Sequence, residues 1–210
     1  MATSLEHVQH VFRGEEEKKT QGKKRPRSQQ THDPAAPEEP AAKRRKIFTV
    51  ALTHRMSIRN AFCPRLLCLV GEFLCRRCRL IKGLSPNVPP LWVHKVDMAL
   101  TVARAQQESF ICSGAVVFLY MLCRDTVSAE VASVEELRAV LLTCLYVSCS
   151  YIGPEVGYPA RHFIREVNRQ AFWKRTLNIA TRMSQKMLQI NISPSVFSQV
   201  ISDLKNRTDH

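Results

Sequence analysis

Glycine is scarce in this sequence, seven residues in 210, and nowhere do glycines gather into a loop that could cradle phosphates. There is no His and Glu pair at metalloprotease spacing and no tight elbow around an exposed serine, so the chain is not expected to be an enzyme and no cofactor is expected. The seven histidines are scattered, three of them before residue 47 and one at the last position, and spacing assembles no site from them. A secretory signal is missing as well, because residues 1–12 are polar and charged. The eight cysteines are then expected to be free thiols in a reducing compartment. Ala2 stands where N-myristoylation needs a glycine, so no membrane anchor of that kind is expected. The longest apolar run is interrupted by Arg138, Thr143 and Ser148 and lies near the lower length limit of a membrane span, which favours a buried core helix.

What is present is positive charge and helical periodicity. Hydrophobic residues make up 45% of the chain, enough for a real core, and the formal charge is +13. The charge is spread out: residues 1–60 hold 13 Lys/Arg against 7 Asp/Glu, and residues 61–210 hold 18 against 11. A diffuse basic surface suits acidic partners in general and singles out none, so nucleic acid is not the expected partner.

Two regions follow from the pattern. Residues 1–60 form a basic tail, rich in Lys, Glu, Gln, Pro and Ala up to about residue 46, and too polar to offset chain entropy, so disorder is expected. The tail carries Lys23, Lys24, Arg25 and Arg27, then Lys43, Arg44, Arg45 and Lys46, two clusters that resemble a bipartite nuclear import signal read by an import receptor. Nucleus and cytoplasm are the expected locations. The alternative is a merely solvated charged tail.

Residues 61–210 read as an all-helical domain. Leu66, Leu67, Val70, Phe73, Leu74, Cys78 and Ile81 predict a first helix over residues 64–82 closed by Gly83, and Trp92, Val96, Leu100 and Ala103 a second over residues 91–105. Ser113 is placed to cap a third helix carrying residues 116–123. Ser133 and Glu136 form a capping box for a fourth that runs to Ile152 before Gly153-Pro154. This fourth helix is apolar nearly all round, with Leu137, Val140, Leu141, Cys144 and Leu145 on one side and Leu142, Val147 and Cys149 on the other, so it is expected at the centre of the bundle. Phe163, Val167, Phe172, Leu177, Ala180, Met183 and Met187 predict a further helical stretch, broken near Asn168. Ser193-Pro194 starts a last helix with Phe197, Val200, Ile201 and Leu204 inward. The expectation is six or seven helices around one central helix. Cys63, Cys68, Cys75 and Cys78 invite a zinc or redox reading, but no knuckle turn or His pair completes a tetrahedral site, so buried thiols are the expected use and no metal is expected.

Several stretches resemble the cyclin-dependent kinase 5 activators, the cyclin-like neuronal activator family. They are residues 71–78 (GEFLCRRC), 116–125 (VVFLYMLCRD), 139–146 (AVLLTCLY), 186–191 (KMLQIN) and 202–206 (SDLKN), within a resemblance that covers residues 67–206. The resemblance implies a cyclin-box-like fold and a noncatalytic regulatory subunit in a 1:1 heterodimer with a cyclin-dependent Ser/Thr kinase. It would hold the kinase's mobile helix and activation loop in the active arrangement, a population shift driven by differential affinity. It places kinase contacts at Ile152, Glu155, Val156, Ile190 and Pro194, which alternatively complete the core.

Two positions depart from the family. Lys174, directly after Phe172-Trp173, stands where the family is acidic, and Thr181 where it has an asparagine; the resemblance implies that these positions face the activation loop. A charge reversal at a contact alters partner choice or strength. The tail also lacks the family's acylatable glycine, and the chain stops soon after Asn206. Competing expectations are a nuclear nucleic-acid-binding regulator with zinc on the Cys63–Cys78 cluster, and a decoy that binds a kinase without activating it.

Overall fold

A computed structural model describes residues 64–155 and 157–206. Both basic clusters, the segment 47–63 with Cys63, and Val156 lie outside the described residues. Among the described residues there are six α-helices, α1 (Pro64–Arg77), α2 (Val88–Val102), α3 (Ser113–Thr126), α4 (Val134–Ile152), α5 (Arg169–Ile192) and α6 (Pro194–Asn206), with a 3-10 turn at Ala160–His162 and no strand. None of these helices is long and apolar enough to cross a membrane.

Helix α4 begins and ends where its sequence signals lie. The Glu136 amide donates to Ser133 Oγ at 3.1 Å, while the Glu136 carboxylate reaches back to the Ala132 amide at 3.4 Å, one residue before the usual partner. Every residue from Leu141 to Cys149 is buried. The two polar ones are satisfied within the helix, Thr143 Oγ1 donating to the Ala139 carbonyl (2.7 Å) and Ser148 Oγ to that of Cys144 (2.9 Å). A helix buried on all sides needs a neighbour on each, and α2, α3 and α5 supply them. Helix α3 is enclosed in its turn, buried from Ala115 to Cys123, by α1, α4, α5 and α6. Tyr146 joins α4 to the 3-10 turn and α5, with its ring 5.1 Å from Phe163, 5.4 Å from Phe172 and 5.7 Å from Trp173. Helices α1 and α2 approach closely at Gly71, where a Cβ would stand 2.0 Å from the Pro86 carbonyl and 2.8 Å from the Pro90 ring.

The structure corrects several boundaries. Helix α1 stops at Arg77, well before Gly83; Cys78 and Ile81 keep the predicted burial from the loop beyond it. Helix α2 starts at Val88 because Pro89 and Pro90 fit the first turn, whose amides have no helical acceptor. It ends at Val102, leaving Ala103 exposed. The N-cap of α3 is Cys112, without a side-chain bond, and Ser113 is the first helical residue. The break at Asn168 is real: its side chain accepts from the Gln170 and Ala171 amides and starts α5. Val167, just outside that cap, is fully exposed, and Leu177 is 48% exposed, so neither belongs to the core. Among the cysteines, Cys78, Cys123, Cys144 and Cys149 are buried. A bond to Cys144 and burial push the Cys123 thiol well up, and burial does the same for Cys149. These four act as small apolar side chains, whereas Cys68 is exposed and Cys75 half-buried, against the expected burial.

This burial pattern predicts a contrast measurable by urea unfolding of the full chain. Tyr146→Ala, which empties an aromatic cluster, lowers stability by about 3–5 kcal/mol, whereas Leu177→Ala stays within about 0.5 kcal/mol.

Candidate functional site

Two sets of polar contacts fix the ends of the bundle. At one, the last turn of α3 ties down α5 and α6. Tyr120 Oη and Arg124 Nη1 both donate to Asp203 Oδ2 (2.7 and 3.1 Å), while Asp125 accepts from Arg124 Nε (3.2 Å) and Lys186 Nζ (2.8 Å). Burial disfavours the Asp125 charge, but the Lys186 and Arg124 cations outweigh it and hold its carboxyl below the usual carboxylate range. At the other set, buried Asp97 accepts from Gln106 Nε2 (2.8 Å), Ser109 Oγ (2.8 Å) and the Phe110 amide (2.9 Å), fixing the α2–α3 loop. The Gln107 amide in that loop donates to Glu155 Oε1 at 3.4 Å and so steadies the loop after α4.

That second loop closes tightly on α4. Tyr158 is buried against Gly153, where a Cβ would lie 2.3 Å from the Cys149 carbonyl oxygen and 2.5 Å from Tyr158 Oη. Burial pushes the Tyr158 hydroxyl far up, so it stays neutral. Tyr151, in the last turn of α4, stacks on Phe118 at 5.6 Å and lies beside Asn191 near the end of α5. The C-terminal ends of α4 and α5 therefore meet.

The residues expected to contact a partner divide between these features. Ile152 and Ile190 are 8% and 3% exposed and complete the core at the meeting of α4 and α5. Glu155 is half-buried and Pro194 exposed beside them. Val156 is outside the described residues. Lys174 and Thr181 are exposed on one face of α5, and helical rise sets Lys174 about 24 Å from Ile190. These positions thus make an elongated face along α5 and over the α4–α5 end, not a pocket. The gap beside α2 lined by Val96, Leu100, Phe110 and Leu145 leaves no room for a small molecule.

Two apolar members of this face escaped the sequence reading. Leu177 lies between Lys174 and Thr181 at i+3 and i−4, and Ile192 is 61% exposed between Ile190 and Pro194. The spacing carried the signal: Leu177 shares the helix stripe of two polar residues, and Ile192 cannot share the buried side of Ile190 two positions earlier. His94 is exposed on α2, and His162 is half-buried in the 3-10 turn. Burial, then Arg161 and Arg165, hold the His162 imidazole below its ordinary pKa. Among the described residues, no three His, Cys, Asp or Glu side chains converge to hold a metal ion.

The architecture is that of an all-α, cyclin-like bundle whose exposed apolar and polar residues form a face suited to protein contact. The chain belongs to the cyclin-dependent kinase 5 activator family: the family model described as "Cyclin-dependent kinase 5 activator protein" matches residues 7–210. It is 52% identical over 161 residues to cyclin-dependent kinase 5 activator 1 of Rattus norvegicus, covering 77% of this chain and 52% of the relative. It is 42% identical over 153 residues to cyclin-dependent kinase 5 activator 2 of Homo sapiens, covering 72% and 42%. The activator 1 of Caenorhabditis elegans is 36% identical over 140 residues, covering 65% and 39%. The chain spans about half the length of the activator 1 relative from Rattus norvegicus.

The Asp125 contacts predict an acid response. Because the folded pKa is lowered, the stabilisation is present above the unfolded value of about 3.9 and is lost as pH falls through the folded value. Asp125→Asn therefore lowers stability at pH 6 and narrows the difference between pH 6 and pH 3, read by urea midpoints at each pH.

Proposed function

We propose that this chain is a noncatalytic regulatory subunit that binds a cyclin-dependent Ser/Thr kinase of the cyclin-dependent kinase 5 type, one to one, and activates it. The observation that carries this reading is the family match over residues 7–210, which includes all six described helices. The relatives are named as activators of that kinase, and an activator contributes binding energy while the kinase supplies the chemistry. A two-state kinase responds to a partner only through that partner's higher affinity for the active state. A rigid face is suited to this task, since it loses little conformational entropy on docking. Leu177 and Ile192 supply exposed apolar area, Lys174, Thr181, Glu155 and Pro194 surround it, and Ile152 and Ile190 hold the helix ends beneath.

The test is phosphate transfer to a proline-directed peptide by purified cyclin-dependent kinase 5, with and without the full chain. Strong stimulation is expected, and binding without stimulation, or no binding, overturns the reading. Leu177→Glu is expected to weaken kinase binding by about tenfold or more while the thermal midpoint stays near that of the parent, because a charge replaces apolar contact area on an exposed position.

We also infer that Lys23, Lys24, Arg25, Arg27, Lys43, Arg44, Arg45 and Lys46 act together as an import signal. A fluorescent fusion is expected in nucleus and cytoplasm, and replacing all eight by alanine shifts it to the cytoplasm. An unchanged distribution leaves the clusters as a solvated tail.

A further inference from the structure

Once Leu177 and Ile192 are assigned to the kinase face, the exposed apolar surface of the domain is concentrated on another helix. Of the seven large apolar side chains that stand exposed among the described residues, three lie on α2: Leu91, Met98 and Val102, at 47%, 50% and 78%. Their spacing of i, i+7 and i+11 puts them on one stripe about 16 Å long. The other side of the helix is already used, since Trp92, Val93, Val96 and Leu100 are buried where α2 packs against α1, α4 and the 3-10 turn. The stripe is left over from core formation, and a contiguous apolar strip on a helix face turned to water marks a contact surface.

The chain itself supplies a segment of matching chemistry. Residues 47–63 precede α1 and lie outside the described residues. In their sequence Phe48, Val50, Leu52, Met56, Ile58 and Phe62 fall at even positions, interrupted only by His54 and Asn60, while the odd positions from 49 to 61 are small, polar or basic. An extended chain with this alternation has one apolar edge and one polar edge. Successive side chains on the apolar edge are about 6.6 Å apart, so three or four of them span the α2 stripe.

Connectivity places the two within reach. Residue 63 is bonded to Pro64, the first residue of α1. Gly71, about 10 Å further along that helix, is packed so closely on the start of α2 that a Cβ there would lie 2.8 Å from the Pro90 ring, and Leu91 is the next residue. Fully extended, residues 47–62 reach at most about 55 Å, several times that separation. So short a tether holds the segment at a high effective concentration beside α2. A second copy of the chain suits the stripe less well. The exposed residues of α2 include Lys95 and no acid, so pairing two such faces sets cation beside cation in molecules that each carry +13. Arg55 and Arg59 of the segment fall at odd positions, on its polar edge.

We propose that residues 48–62 dock on α2, laying their apolar edge over Leu91, Met98 and Val102. The docked segment ties the tail to the domain and brings the cluster from Lys43 to Lys46 beside α2. Helix α2 carries none of the residues assigned to the kinase, so this docking stands independently of that reading.

Limited trypsin digestion of the full chain, with the fragments timed by mass spectrometry, tests this. Cleavage after Arg55 and Arg59 needs the segment released, and its rate follows the undocked population. In the parent chain that cleavage is expected about tenfold slower than cleavage after Lys24 and Arg27. In Met98→Asp/Val102→Asp, with circular dichroism matching the parent, it rises to the rate at those two tail sites. Phe48→Asp/Leu52→Asp changes the segment and leaves the described helices untouched; it is expected to do the same, and it decides the matter if the α2 variant unfolds. Equal rates at all four sites in the parent overturn the docking, as does protection that survives in either folded variant. Sedimentation of the parent as a dimer that Met98→Asp/Val102→Asp converts to a monomer assigns the stripe to a second copy and also overturns it.

Discussion

A helix that is apolar around its whole circumference has to be enclosed, and α4 imposes that requirement on everything else in the domain. Because Leu141 to Cys149 are all buried, three helices must lie against it, and the hydroxyls of Thr143 and Ser148 must turn back onto its own carbonyls. The neighbours inherit the constraint. Helix α3 is buried over nine successive residues and needs α1 and α6 on its far side, so the bundle grows outward from two enclosed helices.

Enclosure fixes which elements touch, while a few polar contacts fix where their ends stop. Tyr120, Arg124 and Asp125 of α3 draw in α6 through Asp203 and α5 through Lys186, and the three donors to buried Asp97 hold the α2–α3 loop against Glu155. Such buried or half-buried pairs add modestly to net stability, since desolvation opposes them. Their larger effect is geometric: they hold the loop after α4 and the ends of α4 and α5 in one arrangement. A face built on fixed helix ends can tell two states of a partner apart, because it does not reshape itself to suit both.

The surface along α5 combines two kinds of exposed side chain. Leu177 and Ile192 are exposed apolar residues, and Arg161, Arg165, Arg169, Lys174 and Arg182 are exposed cations in the same stretch of chain. Lys174 belongs to both sets by position. It is accompanied on the same helix by Arg169 and Arg182, both exposed.

Much of the fold was legible in sequence, and the parts that were not share a cause. The limits of α4 follow from Ser133, Glu136 and Gly153, the break before α5 from Asn168, and the start of α6 from Pro194, because capping and proline sterics act over a few residues. Family membership was legible from residues 71–78, 116–125, 139–146, 186–191 and 202–206, of which the second and third form the enclosed parts of α3 and α4. The early end of α1, the exposure of Leu177 and the burial of Ile152 and Ile190 were decided by contacts far along the chain. Periodicity says that a side chain is apolar but not whether a neighbouring helix arrives to cover it, and only the packed bundle determines that. The candidate face shows the same division: its polar residues could be named one by one from sequence, whereas the meeting of the α4 and α5 ends that joins them exists only in the packed bundle.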